Sequence, residues 1–294
     1  MAKILITGLT GFTGQYLAQI LQVQGHQIFG VSTHQHEPKQ GIYRASLDDI
    51  DDLVNVLKMV QPTHIVHLAA IAFVAHGDSD AIYLTNLLGT QHLLHAIHQS
   101  GIAVEHILLA SSANVYGNSK HEPITEQTSA TPVNDYAVSK LAMEYMAKTW
   151  TDKLPITIAR PFNYTGVGQD SKFLIPKIVK HFKEKSPTIE LGNLDVVRDF
   201  SDVRDVVTAY SKLIMLPAQT GIYNVCSGVG TSLSAVIDML QTISGHSIKV
   251  SVNPAFVRAD EVKRLVGSDE KLQQLLNTSH KYTLYDTLNW MYNS

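Results

Sequence analysis

Hydrophobic and polar positions follow two rhythms along the first half of the chain. Short, nearly continuous apolar runs, KILIT (3–7), QIFGV (27–31), HIVHLAA (64–70) and HILLASS (106–112), read as strands buried on both faces. Between them apolar residues recur at helical spacing over 14–24, 49–60 and 80–99, the last helix stopping at Gly101. A further helix starts near Asp135 and leads into the strand PITIAR (155–160). Strand–helix alternation of this kind predicts an α/β fold with a parallel, doubly wound sheet and right-handed crossovers. Past Thr165 the rhythm changes to a loop, TGVGQDSK, a helix near 174–184, a short TIELG and a returning strand, GIYNVCSG. A smaller α/β region is therefore expected at the sheet's carboxyl side, where open α/β sheets bind ligands. The expected division is 1–163 with about 202–228 for the sheet domain, and about 164–201 with 229–294 for the smaller one.

Composition narrows the function classes. With 294 residues and 45% hydrophobic content the chain can bury a full core. Its net charge of -3, from 23 basic and 26 acidic residues, comes without a basic stripe, so neither nucleic acid nor an anionic membrane surface is an expected partner. The lone cysteine, Cys226, forms no internal disulfide and reads as a small buried core residue. No apolar run approaches the roughly twenty residues of a membrane span. The opening MAKILITG is broken by glycine too early for a signal peptide, so a cytoplasmic location is expected.

The first chemical motif lies between the first strand and the first helix. TGLTGFTG sets Gly8, Gly11 and Gly14 in a G-x-x-G-x-x-G spacing, with Thr10, Phe12 and Thr13 between them. In that context the loop leaves backbone amides and a helix N-terminus free for a pyrophosphate, which points to a Rossmann-type dinucleotide site. An acidic residue at the end of the second strand would favour NAD; Ser32, Thr33 and His34 stand there instead. That favours NADPH and leaves NADH open. A second motif is NDYAVSK, where Tyr136 and Lys140 share a helix face and the ammonium can favour the phenolate. Tyr-x-x-x-Lys alone is common; the glycine loop and the hydroxyl of SSANVYG at the same sheet edge give it weight.

The glycine loop, HLAA, SSANVYG, PVNDYAVSKLAMEYM and RPFNYTGVGQ together resemble an extended short-chain dehydrogenase/reductase of the nucleotide-sugar epimerase/dehydratase family. LGNLDVVRDFSDVRDVV and FVRADEVKRLVGSDEKL are similar to the branch acting on GDP-mannose derivatives. The resemblance implies Tyr136 as general acid/base, Lys140 tuning it and binding the nicotinamide ribose, and Ser112 bonding the reacting sugar oxygen. It implies cofactor contacts from the glycine loop, Ser32, Thr33, His34, Ser46, Leu47, Leu68, Ala69, Ala70, Tyr136, Lys140 and Pro161. For the substrate it implies Ser112, Asn114 and Asn163, with Lys177, Arg198 and Arg258 around the diphosphate and Glu261 on the nucleotide's ribose. A salt bridge to Asp199, Asp202 or Asp205 is the alternative for Arg198.

One departure bears on the reaction. Similar 4,6-dehydratases carry a glutamate, and some an adjacent aspartate, where this chain has Asn114 and Ala113, and asparagine cannot take the C5 proton that elimination requires. The implied activity is NADPH- or NADH-dependent reduction of the C4 keto group of a GDP-linked 4-keto-6-deoxy sugar, with GDP-D-rhamnose the expected product. A GDP-6-deoxy-D-talose product, a 4-epimerase keeping NAD bound and a non-catalytic cofactor-binding relative stand as alternatives. The faces of helices 80–99 and 136–150 resemble those that pair in family dimers, so a homodimer is expected. His92, His95 and His98 are read as a solvated helix face rather than a metal site, since no cysteine or acidic cluster completes a ligand set. Asn86 and Gly89 weaken their helix by propensity, which suggests a packing or active-site reason. The closing stretch lacks the family's usual glycine-tryptophan turn, so its helix is expected to differ.

Overall fold

The computed structural model describes residues 1–33, 41–72, 78–256 and 262–294. Its strands are β1 (Lys3–Thr7), β2 (Gln27–Ser32), β3 (Ile42–Arg44), β4 (His64–His67), β5 (His106–Ala110), β6 (Ile156–Pro161), β7 (Asn163–Thr165), β8 (Thr188–Leu191), β9 (Val197–Asp202), β10 (Gly221–Val225), β11 (Gly230–Ser232), β12 (Lys249–Val252) and β13 (Arg264–Leu265). The helices are α1 (Phe12–Val23), α2 (Ile50–Val60), α3 (Ser79–Tyr83), α4 (Gly89–Ser100), α5 (Asp135–Lys148), α6 (Leu174–Lys183), α7 (Val203–Met215), α8 (Leu233–Ser244), α9 (Glu270–Leu276) and α10 (Leu284–Asn293).

Among the described residues a seven-stranded sheet runs in the order β10-β6-β5-β4-β1-β2-β3. The pairs from β3 through β6 are parallel. The order reverses between β1 and β4, and a doubly wound sheet opens a ligand crevice at such a switch. Strand interiors explain the continuous apolar runs: Ile4, Leu5, Ile6, Ile65, Val66 and Ile107–Leu109 have no exposed surface, because helices cover both faces. The predicted strands 64–70 and 106–112 are shorter than expected, ending at His67 and Ala110, where the chain leaves the sheet. The edge strand β3 has too few residues to show a period.

The chain divides into two compact units, Met1–Val115 with Asn134–Arg160 and Val207–Tyr223, and Tyr116–Val133 with Pro161–Val206 and Asn224–Ser294. Residues 116–133, placed by the sequence with the sheet domain, cluster with the second unit. Their long-range bonds explain it: the Tyr116 hydroxyl donates to Asn224 Oδ1 (2.7 Å), Asn224 N–H donates to Glu126 (2.8 Å), and Ile124 bridges Gly267.

The second unit has its own core and sheets. β9 is flanked by β11 and β13 and pairs with β7, while β8 and β12 form a two-stranded sheet. Ile178, Phe182, Leu233, Val236, Leu240 and Leu288 bring α6, α8 and α10 together. In place of a glycine-tryptophan turn, Thr283 and Asp286 form a capping box that starts α10. Arg204 is sandwiched between Tyr282 and Trp290, 3.6 and 3.9 Å from the ring centres, while its guanidinium bonds Asp202 at 2.9 and 2.7 Å. Among the described residues no helix is long and apolar enough to cross a membrane.

Candidate active site

Residues after β1 build the first part of the site. Gly8 has φ +74, a conformation that favours glycine, and a Cβ there would lie 2.9 Å from Ala69 N, so the loop lies directly against HLAA. Gly11 N–H donates to Gly8 O (3.0 Å), closing the turn, and Gly11 caps α1 without a side-chain bond. At Gly14 a Cβ would meet Leu9 Cα at 2.7 Å and Leu9 O at 2.8 Å, so glycine is what lets α1 start this close to the loop. An uncapped helix N-terminus behind glycines is the donor set a pyrophosphate needs, and these residues fit a dinucleotide. Leu68, Ala69 and Ala70 follow β4 on the other side of the switch. Ser32 ends β2 and its carbonyl accepts from Ala45 N–H (3.1 Å), bringing Thr33, Ser46 and Leu47 to one sheet edge. His34 lies outside the described residues.

The second part comes from β5 and α5. Ser112 follows β5 directly and its Oγ accepts from both Asn114 N (3.2 Å) and Asn114 Nδ2 (3.1 Å) within the turn Ala113–Tyr116. With those acceptor directions used, its own proton remains for a further acceptor. Asn134 caps α5 by accepting from Ala137 N–H (2.9 Å), and Tyr83 donates to Asp135 (3.0 Å). Tyr136 and Lys140, one turn apart, are both buried. Lys140 Nζ donates to Ala110 O (2.8 Å), two residues before Ser112, so the strand end and the helix face meet. Burial pushes the ammonium's pKa down to about 8, against the opposing pull of Glu144.

Several residues that hold this arrangement were not assigned from sequence. Glu144, one further turn along α5, is fully buried and accepts from Ser111 Oγ (2.5 Å), Arg160 Nε (2.8 Å) and Arg160 Nη2 (2.5 Å). A carboxylate four residues past Lys140, on the same buried face of the helix, is the signal the sequence carries. The helix expected over 80–99 is divided by a π-turn, Leu84–Leu88, between α3 and α4. Its extra residue turns Asn86 inward, where Oδ1 accepts from Ile71 N–H (2.9 Å) and Nδ2 donates to Ile71 O and Ser139 Oγ (both 3.1 Å). Gly89 packs against Leu47, whose Cβ would be 3.1 Å from an added one. The flagged residues thus have tertiary reasons. The histidine row is not uniformly solvated: His92 is half-buried and bonds Leu47 O (2.8 Å), while His95 and His98 sit edge-on to Trp150.

The remaining candidates belong to the second unit. Asn163 is exposed on β7, paired in register with Phe200 of β9, and Arg198 lies two residues earlier on β9. Arg198 Nη1 donates to the carbonyls of Val197 (3.0 Å) and Lys263 (3.3 Å). The three aspartates suggested as its partners are engaged elsewhere: Asp199 accepts from Ser227 and Gly228, Asp202 from Arg204 and Thr287, and Asp205 from the amides of Lys281 and Tyr282. Burial raises the pKa of Asp199 despite those bonds. Lys177 Nζ donates to Glu190 O (3.1 Å) and lies 4.6 Å from the centre of the Phe256 ring. Pro161 ends β6 and Cys226 is fully buried, which raises its thiol pKa. Arg258 and Glu261 lie outside the described residues.

Residues 4–226 match the family described as "NAD dependent epimerase/dehydratase family". The chain is 35% identical to GDP-6-deoxy-D-talose 4-dehydrogenase of Aggregatibacter actinomycetemcomitans, covering 96% of this chain and 93% of that one. It is 32% identical to GDP-6-deoxy-D-mannose reductase of Pseudomonas aeruginosa, covering 97% and 94%. The structure of RMD from Pseudomonas aeruginosa complexed with NADPH superposes with a TM-score of 0.88 at 30% identity, over 100% of this chain and 98% of that one. From the glycine loop, the Tyr136/Lys140 helix and these likenesses, the chain belongs to the NAD-dependent epimerase/dehydratase family, the extended short-chain dehydrogenase/reductases that modify nucleotide sugars.

Proposed function

We propose that this protein reduces the C4 keto group of a GDP-4-keto-6-deoxyhexose with NADPH or NADH. The observation that carries the reading is Lys140, one helical turn from Tyr136, bonded to the carbonyl of Ala110 two residues before Ser112, with Ala113 and Asn114 following where elimination would need a carboxylate. When bound, the reduced nicotinamide supplies the hydride for C4. Tyr136 gives its phenolic proton to the alkoxide forming at O4. Lys140, positively charged below about pH 8, lowers the cost of the phenolate left behind. Ser112 donates to the same oxygen, with Asn114 fixing the direction of its hydroxyl. The glycine loop, Ser32, Thr33, Ser46, Leu47, Leu68, Ala69, Ala70 and Pro161 are assigned to the cofactor. Asn163, Lys177, Arg198 and Arg258 are assigned to the GDP-sugar, since guanidinium and ammonium groups suit phosphate oxygens, and Glu261 to the ribose hydroxyls.

GDP-D-rhamnose is the product expected from the sequence. The relative at 35% identity is named for GDP-6-deoxy-D-talose, against 32% for the mannose reductase, and this favours the C4 epimer as a second reading. The test is incubation with GDP-4-keto-6-deoxy-mannose and reduced cofactor, with the product's C4 configuration read by NMR. A 4-hydroxy product of either configuration supports ketoreduction and chooses between the epimers; none removes this substrate. Exposed Leu84, Leu88, Val138 and Tyr145 on the π-turn and α5 suit burial against a second copy, and light scattering that finds only monomer would end that assignment.

A further inference from the structure

We propose that His67, held as a neutral Nε2–H imidazole between Thr7 and Thr90, is the positioning residue of a buried polar chain that aligns the Tyr136 helix through Asn86 and Ser139. The proton directions follow from the partners. Thr90 Oγ donates its single proton to Asn86 O (2.8 Å), so its contact with His67 Nε2 (2.9 Å) requires the imidazole to donate there. His67 Nδ1 is then the acceptor, and the Thr7 hydroxyl, 2.6 Å away, donates to it. Thr7 Oγ in turn accepts from Ala69 N–H (3.2 Å), beside the glycine loop. At the other end Asn86 grips Ser139 Oγ, and Ser139 donates to Tyr136 O (2.8 Å) in the first turn of α5.

Thr7, His67, Asn86, Thr90 and Ser139 are all essentially inaccessible to water, so each group depends on the next for its hydrogen bond. Burial, and after it the charge of Lys140 from α5, push the imidazole's pKa down to about 3. A charged imidazole would need an acceptor at both nitrogens and would repel the ammonium that tunes Tyr136. The chain thus ties the end of β1, β4, the π-turn and the catalytic helix into one hydrogen-bonded path while adding no charge.

The kinetic part of the test rests on the ketoreductase reading; the spectroscopic part does not. In 15N spectra, His67, assigned by comparison with His67→Gln, is expected to keep one protonated Nε2 and one unprotonated Nδ1 between about pH 5 and 8. An imidazolium or an Nδ1–H form in that range overturns the proposal. Thr90→Val, nearly isosteric but without the hydroxyl, is expected to lower kcat roughly 10- to 100-fold, to leave NADPH affinity within about twofold and to shift the Tyr136 ring carbon resonance. Thr90→Ser is expected to restore all three. An unchanged kcat and an unmoved Tyr136 signal in folded Thr90→Val overturn the positioning role. If the wild type reduces no GDP-4-keto sugar, the ketoreductase reading fails, and the His67 and Tyr136 spectra still decide this one.

Discussion

Glu144 offers a perturbation whose effects on stability and on catalysis can be separated. Glu144 and Arg160 are 1% and 4% exposed and share two hydrogen bonds of 2.8 and 2.5 Å, with Ser111 as a third partner. In Glu144→Gln the arginine keeps its charge in a buried site with no opposing charge at position 144, a change that costs about 3–5 kcal/mol. For a chain of this size that corresponds to a Tm lowered by roughly 10 °C. Glu144 also supports the charge of Lys140, so its loss should move the alkaline limb of the kcat/KM profile to lower pH. Glu144→Met/Arg160→Met removes both charges and should recover most of the Tm, since apolar replacement of a buried pair is close to neutral. Its alkaline limb should remain displaced, because the carboxylate is still missing. Differential scanning calorimetry and pH-dependent kinetics on the three proteins provide the readouts. A Tm for Glu144→Gln within about 2 °C of wild type, equivalent to roughly 1 kcal/mol or less, would refute the electrostatic account of the pair.

Two further outcomes follow from the first unit. Since Lys140 titrates near 8 when folded and near 10.5 when unfolded, the unfolded chain binds more protons between those values, and this group's contribution to stability rises with pH there. kcat/KM for reduction should nevertheless fall as pH passes about 8, and a decline that tracks unfolding instead would contradict the role given to Lys140. Gly14→Ala should abolish NADPH binding measured by fluorescence, because its Cβ meets only backbone, at Gly8 O and at Leu9, and backbone cannot turn aside as a side chain can. Retained affinity in the folded variant would remove the glycine loop from the cofactor site.

The sequence made legible what depends on neighbours along the chain. KILIT, the glycine loop and Tyr136/Lys140 could be read because strand, turn and i, i+4 geometry are local. What it hid depends on distant partners. Asn86 looked like a poor helix residue, and its reason is Ser139, 53 positions away. His67 gains its meaning from Thr7, 60 positions away, and Thr90, 23 positions away, which no local pattern links. Residues 116–133 join the second unit through Asn224, a contact that periodicity cannot foresee. The aspartates around Arg198 looked like its partners by proximity in sequence, yet Asp199 is engaged by Ser227, Asp202 by Thr287 and Asp205 by Lys281, groups that the folding of the second unit brings to them.

The role of Tyr136 is tested most directly by following reduced-nicotinamide absorbance on mixing the protein with NADPH or NADH and GDP-4-keto-6-deoxy-mannose, for wild type and Tyr136→Phe. Substrate-dependent oxidation is expected from the wild type, with near-complete loss in a Tyr136→Phe protein that still binds the cofactor. Oxidation that survives in Tyr136→Phe, or none in the wild type with either cofactor, would contradict that role.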